Sequence, residues 1–183
     1  TLWHTLSLHD ALPIWAGLES TRGSVGRTYE ELKKQASDLQ GQTLFGDEET
    51  QQAQAMVLTF TNIREEIFDR TIPAIQDMAT RMAGDGPADL KGASIMLGKA
   101  LNDPIANLSA LSRSGVQFTE SQKNTIKTLV ESNKLGEAQA IILKEIETQF
   151  GGSAKAAAEA GRGGWQQLSN TFGDVKEGLG ELI

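Results

Sequence analysis

The chain has 183 residues, of which 24 are Asp or Glu and 17 are Lys or Arg, giving a formal net charge of -7. This acidic balance argues against direct nucleic-acid binding, because neutralisation of phosphates by Lys and Arg supplies most of that affinity. There is no cysteine, which excludes disulfide bonds and thiolate chemistry. No apolar run reaches the roughly 20 residues that a spanning helix requires, so we predict no membrane segment.

The N-terminal segment is predicted to lie outside the fold. Residues 5–14, TLSLHDALPI, resemble the conceptual translation of a sequencing adapter, so residues 1–14 are interpreted as an artefact and residues 15–28 as a linker. Both histidines, His4 and His9, fall in this segment. The remaining chain then has neither His nor Cys, so it lacks the usual zinc ligands and the histidine base that activates a nucleophile. We therefore predict no enzyme, no catalytic residue, no metal site and no cofactor.

Apolar residues recur at spacings of three and four from Tyr29 onward, which is the pattern of amphipathic helices. The first predicted helix ends at Gly41, a typical stop residue. A second predicted stretch begins at Asp47 as N-cap, and Pro73 is expected to limit the straightness of the helix after it. The apolar stripe of this second stretch consists of Ala53, Met56, Val57, Phe60, Ile63 and Ile67.

Proline, glycine and capping residues mark the later helices. Pro87 and Pro104 are placed for the first turn of a helix. Thr119, followed three residues later by Gln122, forms a capping-box pattern. Another predicted helix ends at Gly151. The predicted fold class is all-α, a multi-helix array of short amphipathic helices joined by Gly/Pro turns.

Two stretches suggest chemistry at first sight. Glu65 and Asp69 lie one helical turn apart, but nothing apolar beside them suggests acid–base catalysis, so a solvated helix face is favoured. Residues 92–100, GASIMLGKA, resemble a phosphate-binding loop. Five residues separate the glycines where four are required, and Ala100 replaces the necessary Ser or Thr. Neither stretch therefore predicts a catalytic site.

The last segment has the most regular pattern. We interpret residues 161–183 as the truncated start of a longer amphipathic or coiled-coil helix that favours self-association. Its apolar residues follow the 3-4-3-4-3 spacing of a heptad seam, a possible surface for a partner helix. The seam residues are Trp165, Leu168, Phe172, Val175, Leu179 and Leu182.

A longer likeness covers most of the chain. The stretches LGKALNDPIANLSALSRSGVQFTESQKNTIKTLVES and AQAIILKEIETQFGGSAKAAA resemble the tail length tape measure protein of long-tailed phages and prophages. The specific part is the string of turn and cap residues, including Asn102-Asp103-Pro104, Phe118-Thr119 and Gln149 to Ser153. The resemblance implies an interior fragment of a mostly helical structural protein, with residues 29–160 as its helical module and no catalytic residues.

The resemblance also implies a role and partners. Tube subunits polymerise around a tape measure protein, so its length sets the length of the tail. The implied partners are tail tube and tail assembly chaperone proteins, and the implied location is the tail lumen of the virion, with the host cytoplasm during assembly. Because Pro73, Pro87 and Pro104 interrupt the chain, we expect a compact fold-back module, with a rod beginning near Trp165. A helical partner-binding domain of a bacterial surface or secreted protein is the alternative.

Overall fold

The computed structural model of the chain describes residues 14–19, 25–84 and 86–161. This part contains helices and no strand, so the prediction of an all-α fold is confirmed. Residues 14–19 are helical. The eight helices that follow are α1 (Tyr29–Gln40), α2 (Asp47–Leu58), α3 (Glu65–Ala83), α4 (Leu90–Asn102), α5 (Pro104–Arg113), α6 (Glu120–Glu131), α7 (Leu135–Phe150) and α8 (Ser153–Glu159).

Helix α3 lies at the centre of the packing. It contacts α2, α4, α7 and α8, while α1 packs on α2, α4 on α2 and α5, and α6 on α5 and α7. Amphipathic helices of this length are stabilised mainly by such burial of their apolar faces. The described helices therefore fold back on one another, as expected for a compact module. Core side chains exposed by less than 2 % include Phe68, Ile72, Ile75, Met78, Leu97, Leu101, Ile142 and Leu143.

Pro73 lies inside α3, nine residues into the helix. Proline has no N–H, so it leaves the carbonyl of Asp69, four residues earlier, without its usual helical partner. Gln35 of α1 replaces that partner, because its Nε2 donates to the Asp69 carbonyl at 3.0 Å. The Gln35 Oε1 in turn accepts from Gln54 Nε2 of α2 at 2.9 Å. Side chains from two neighbouring helices thus accommodate the proline.

This arrangement predicts a coupling between Gln35 and Pro73. We expect Gln35→Ala to lower the free energy of unfolding by about 1–2 kcal/mol, because the Asp69 carbonyl loses its donor. The cost should be smaller in a Pro73→Ala background, where the new backbone N–H of residue 73 reaches that carbonyl. Urea denaturation of the four proteins measures the coupling. An equal cost of Gln35→Ala in both backgrounds would contradict the assignment.

The start of α2 differs from the prediction. Gly46 is the N-cap, with an extended backbone, and Asp47 is the first helical residue. The Gly46 N–H donates to the Glu49 carboxylate at 3.2 Å, which is half of a capping box. The Asp47 N–H is satisfied by Gln40 Oε1 of α1 at 2.7 Å. The prediction of Asp47 as N-cap is wrong because the glycine backbone and Glu49 already supply the cap.

The start of α4 also differs. Pro87 was predicted for the first turn, but the helix begins at Leu90 with Asp89 as its N-cap. The Asp89 Oδ1 accepts from the Gly92 N–H at 2.7 Å. The helix begins after Asp89 because the Asp89 carboxylate accepts from an amide of the first turn that would otherwise be unpaired. Proline offers no such acceptor. Pro87 therefore lies in the connection before the helix.

The apolar stripe that follows Asp47 is interrupted at residues 59–64, which contain neither Gly nor Pro. Local turns and hydrogen bonds from distant helices replace the helical bonds in this break. The Asn62 Nδ2 donates to the Asn102 carbonyl at 3.1 Å, and the Asn62 carbonyl accepts from Gln139 Nε2 at 2.9 Å. Ile63 is buried beside them, 2 % exposed. Tertiary contacts rather than a local breaker end α2.

Several predicted helix ends are confirmed. Helix α1 ends before Gly41, and Pro104 is the first residue of α5. At α6, Thr119 Oγ1 accepts from the Gln122 N–H at 3.2 Å, while Gln122 Oε1 accepts from the Thr119 N–H at 2.8 Å. Helix α7 ends at the residue before Gly151. These ends were predictable because their hydrogen bonds join neighbours in sequence.

The segment before α1 contributes to the packing. Ile14 is fully buried in the core, and Val25 is 2 % exposed. Trp15 stacks on Tyr29 of α1, with ring centroids 5.1 Å apart and an interplanar angle of 18°. The prediction that residues 1–14 lie outside the fold is therefore wrong at Ile14, whose side chain packs in the core, and the predicted linker, residues 15–28, also includes residues that pack against the helices.

Candidate interaction surface

A groove between α5 and α6 is a concave, partly apolar surface that the described helices offer to a partner. Its volume is about 330 Å³. Ile105 on its α5 wall is 54 % exposed, whereas Ile126 on the α6 side is 1 % exposed and connects the groove to the core. The further lining residues are Pro104, Leu108, Ser109, Ser112, Lys123, Asn124 and Lys127. A groove of this kind can accept apolar side chains of a partner helix.

The charges at the rim of the groove are paired within α6. Lys123 Nζ lies 2.7 Å from Glu120 Oε1, and Lys127 Nζ lies 3.8 Å from Glu131 Oε1. Exposed pairs of this kind contribute little to stability, about 0–1 kcal/mol each. Since each lysine has a carboxylate neighbour, apolar contact is the main recognition that the groove provides.

Sequence reasoning did not distinguish this groove from the core. The spacing of Ile105, Leu108 and Leu111 in the sequence places all three on one apolar face of the same helix. Only Leu111 of the three is fully buried, while Leu108 is partly buried and Ile105 is exposed. The spacing shows that the three residues share a face, but it does not show which of them a neighbouring helix covers.

Glu65 and Asp69, the two acids one helical turn apart, both make contacts with the segment before α1. Asp69 is held by Arg27, whose Nε lies 3.0 Å from Asp69 Oδ1. Glu65 is exposed at the start of α3, has a left-handed backbone with φ of 48°, and donates its N–H to the Val25 carbonyl at 2.8 Å. Both residues therefore serve the docking of the segment before α1 onto α3.

The stretch that resembles a phosphate-binding loop lies inside α4. The N–H of Gly92 is already used by Asp89. Gly98 packs against the ring of Phe60, where an added Cβ would lie 2.2 Å from Phe60 Cε2. The second glycine is required for close packing of a helix on a side chain, not for cradling a phosphate.

The carboxylate of Asp77 on α3 caps another helix. Its Oδ2 accepts from the Gly152 N–H at 3.0 Å and its Oδ1 from the Ala154 N–H at 2.9 Å, so it caps α8 from another helix. Gly152 adopts a left-handed backbone, φ 77°, and has no side chain with which to cap the helix. Burial raises the pKa of Asp77, while the hydrogen bonds from the backbone of residues 152–154 act in the opposite direction.

The raised pKa of Asp77 predicts a pH dependence. Protonation is easier in the folded than in the unfolded protein, so this residue adds stability that is fully present below the unfolded pKa of about 3.9 and is lost as the pH rises through the folded pKa. We therefore expect the unfolding free energy of the wild type minus that of Asp77→Asn to increase as the pH falls from 7 to 4. Urea denaturation across that range measures this difference.

Asp38→Asn is the control for the loss of one negative charge, since Asp38 is exposed and pairs with Lys34 within α1. A difference between the wild type and Asp77→Asn that stays constant or shrinks toward pH 4 would contradict the assignment.

Within the described residues, no group of three or more His, Cys, Asp or Glu is arranged to hold a metal ion. In the same residues, no helix combines the length and apolar character needed to cross a membrane. The predicted partner seam, from Trp165 to Leu182, lies outside the described residues, as do His4 and His9. Comparison of the chain with protein families, curated proteins and solved structures finds no match.

Proposed function

We propose that this chain is a structural protein of phage tail assembly, a fragment of a tape measure protein that templates the length of the tail tube. The observation that carries this proposal is the string of turn and cap residues by which the sequence resembles that family. Several of these residues have structural tasks in the fold: Pro104 starts α5, Thr119 caps α6, and Gly152 begins the turn into α8.

The proposed partners are tail tube subunits and tail assembly chaperones, with self-association through the seam from Trp165 to Leu182. The proposed location is the lumen of the tail tube, and the host cytoplasm before assembly. Residues 29–160 act in this proposal as a compact module within the ruler. Because the helices fold back, the module contributes less length than the ~200 Å that one continuous helix of the same residues would span.

A second candidate function is a helical partner-binding domain of a bacterial surface or secreted protein. The α5–α6 groove favours it, because Ile105 is exposed on an apolar wall without a covering helix among the described residues. Under this proposal the groove binds an apolar helix of another protein.

The genes beside the coding sequence separate the two candidates. The tape measure proposal predicts tail tube, tail chaperone and baseplate genes in the neighbourhood, and predicts that the chain co-purifies with the tube or chaperone protein when they are expressed together. A neighbourhood without tail genes would favour the second candidate.

The groove itself is tested by Ile105→Ser. If the groove binds the co-purifying protein, this change reduces the amount recovered, whereas Gln42→Ser, at an exposed residue after α1 and outside the groove, leaves it unchanged. Equal recovery with both variants would exclude the groove as the binding surface.

A further inference from the structure

Two amide oxygens in the core have no hydrogen-bond partner among the described residues. They are Oε1 of Gln54 on α2 and Oε1 of Gln76 on α3. Gln54 is 0 % and Gln76 is 1 % exposed, so bulk water does not reach them. A buried acceptor without a donor costs about 1–3 kcal/mol, and native proteins leave few such groups unpaired.

The orientation of the Gln54 amide is fixed by its nitrogen. The Gln54 Nε2 donates to the Leu32 carbonyl and to Gln35 Oε1, each at 2.9 Å. Rotation of the amide by 180° would place its oxygen against these two acceptors. The Gln54 amide therefore keeps this orientation, and its Oε1 needs a donor from elsewhere.

Gln76 has one partner for its two polar atoms. Its Nε2 donates to Thr50 Oγ1 at 2.9 Å, and the Thr50 hydroxyl donates to the Gly46 carbonyl at 2.9 Å. Rotation of the Gln76 amide would turn its oxygen toward the hydroxyl and leave the nitrogen without a partner. One polar atom of Gln76 is unpaired in either orientation.

We propose that Gln54 and Gln76 form an internal hydration site, where bound water donates hydrogen bonds to both Oε1 atoms. Thr50 and Gln54 lie one turn apart on the same face of α2, and Gln76 of α3 donates to Thr50, so both glutamines belong to the side of α2 that carries Thr50. A water molecule has two O–H donors and serves buried polar groups that lack partners. A bound cation fits less well, because Ca²⁺ and Mg²⁺ take six or more oxygen ligands, mostly carboxylates and carbonyls.

Nuclear magnetic resonance of the full chain tests this site. The side-chain amide protons of Gln54 and Gln76 are expected to show cross-relaxation with water, with the sign of a molecule bound for longer than nanoseconds. Relaxation dispersion of the water signal should show at least one long-lived internal water, and the Gln54→Met/Gln76→Met double variant should lose at least one. Gln42→Met, at an exposed glutamine, should retain the wild-type number.

An unchanged number of long-lived waters in the folded double variant would overturn the proposal. If the double variant does not fold, the wild-type cross-relaxation decides: its absence at both glutamines would overturn the proposal, and its presence would support it.

Discussion

Phe68→Ala is expected to lower the free energy of unfolding by about 3–5 kcal/mol, the upper range for a single core truncation. Phe68 is 0 % exposed on α3, the helix that contacts α2, α4, α7 and α8. Removal of its ring loses buried apolar area and leaves a cavity that the surrounding core cannot close completely. Because small domains are stable by about 5–15 kcal/mol, the variant would lose a large share of that margin.

The measurement is urea denaturation followed by circular dichroism, with Ile105→Ala as the matched control. Ile105 is 54 % exposed on α5, so its truncation is expected to cost about 0.5 kcal/mol or less. A similar cost for both changes would contradict the placement of Phe68 in the core and of Ile105 at the open groove.

Gly151→Ala is also expected to have a large effect, lowering the free energy of unfolding by about 1–3 kcal/mol. An added Cβ at Gly151 would lie 2.3 Å from the Glu147 carbonyl oxygen. That oxygen belongs to the backbone of α7, so the clash cannot be relieved by rotating a side chain. The strain would fall on the turn that leads to Gly152 and to the cap from Asp77.

Gly136→Ala, inside α7, provides the control for the same chemical change at a position without a clash. An added Cβ at Gly136 meets no atom within 4 Å, and Ala is a better helix former than Gly by up to about 1 kcal/mol. We therefore expect Gly136→Ala to stabilise and Gly151→Ala to destabilise the protein in the same thermal and urea unfolding assays. A stabilising Gly151→Ala would show that the α7–α8 turn differs from this account.

The features that sequence reasoning found are those with local causes. The faces of α1 and α7, the proline that starts α5 and the capping box of Thr119 and Gln122 all depend on residues within one or two turns. Hydrogen bonds and apolar spacing at that range are visible as sequence patterns. The all-α class follows from the same signals repeated along the chain.

The features that it missed depend on distant residues. Pro73 stays inside α3 because Gln35 of α1 donates to the carbonyl that the proline leaves free. The break at residues 59–64 is held by Asn102 and Gln139, which are remote in sequence. Such partners become neighbours only after the helices have packed, so no local pattern marks them.

The candidate site shows the same limit. The sequence predicts a seam between Trp165 and Leu182, outside the described residues, and its spacing places Ile105 on the same helix face as Leu111. The structure instead exposes Ile105 in the α5–α6 groove and assigns Asp77 to the cap of α8. Which helices become neighbours in the folded structure decides whether an apolar stripe is covered. The same arrangement decides which carboxylate reaches a distant helix.

Tail length tests the proposed role most directly. Residues 29–160 are deleted in frame from the full-length gene in a phage-producing host, and tails are measured by electron microscopy. The account predicts shorter tails, with a loss smaller than the ~200 Å that one continuous helix of these residues would span. Tails of unchanged length would contradict the proposal that the protein sets tail length. A loss of the full ~200 Å would contradict the proposal that residues 29–160 are compact in the tail.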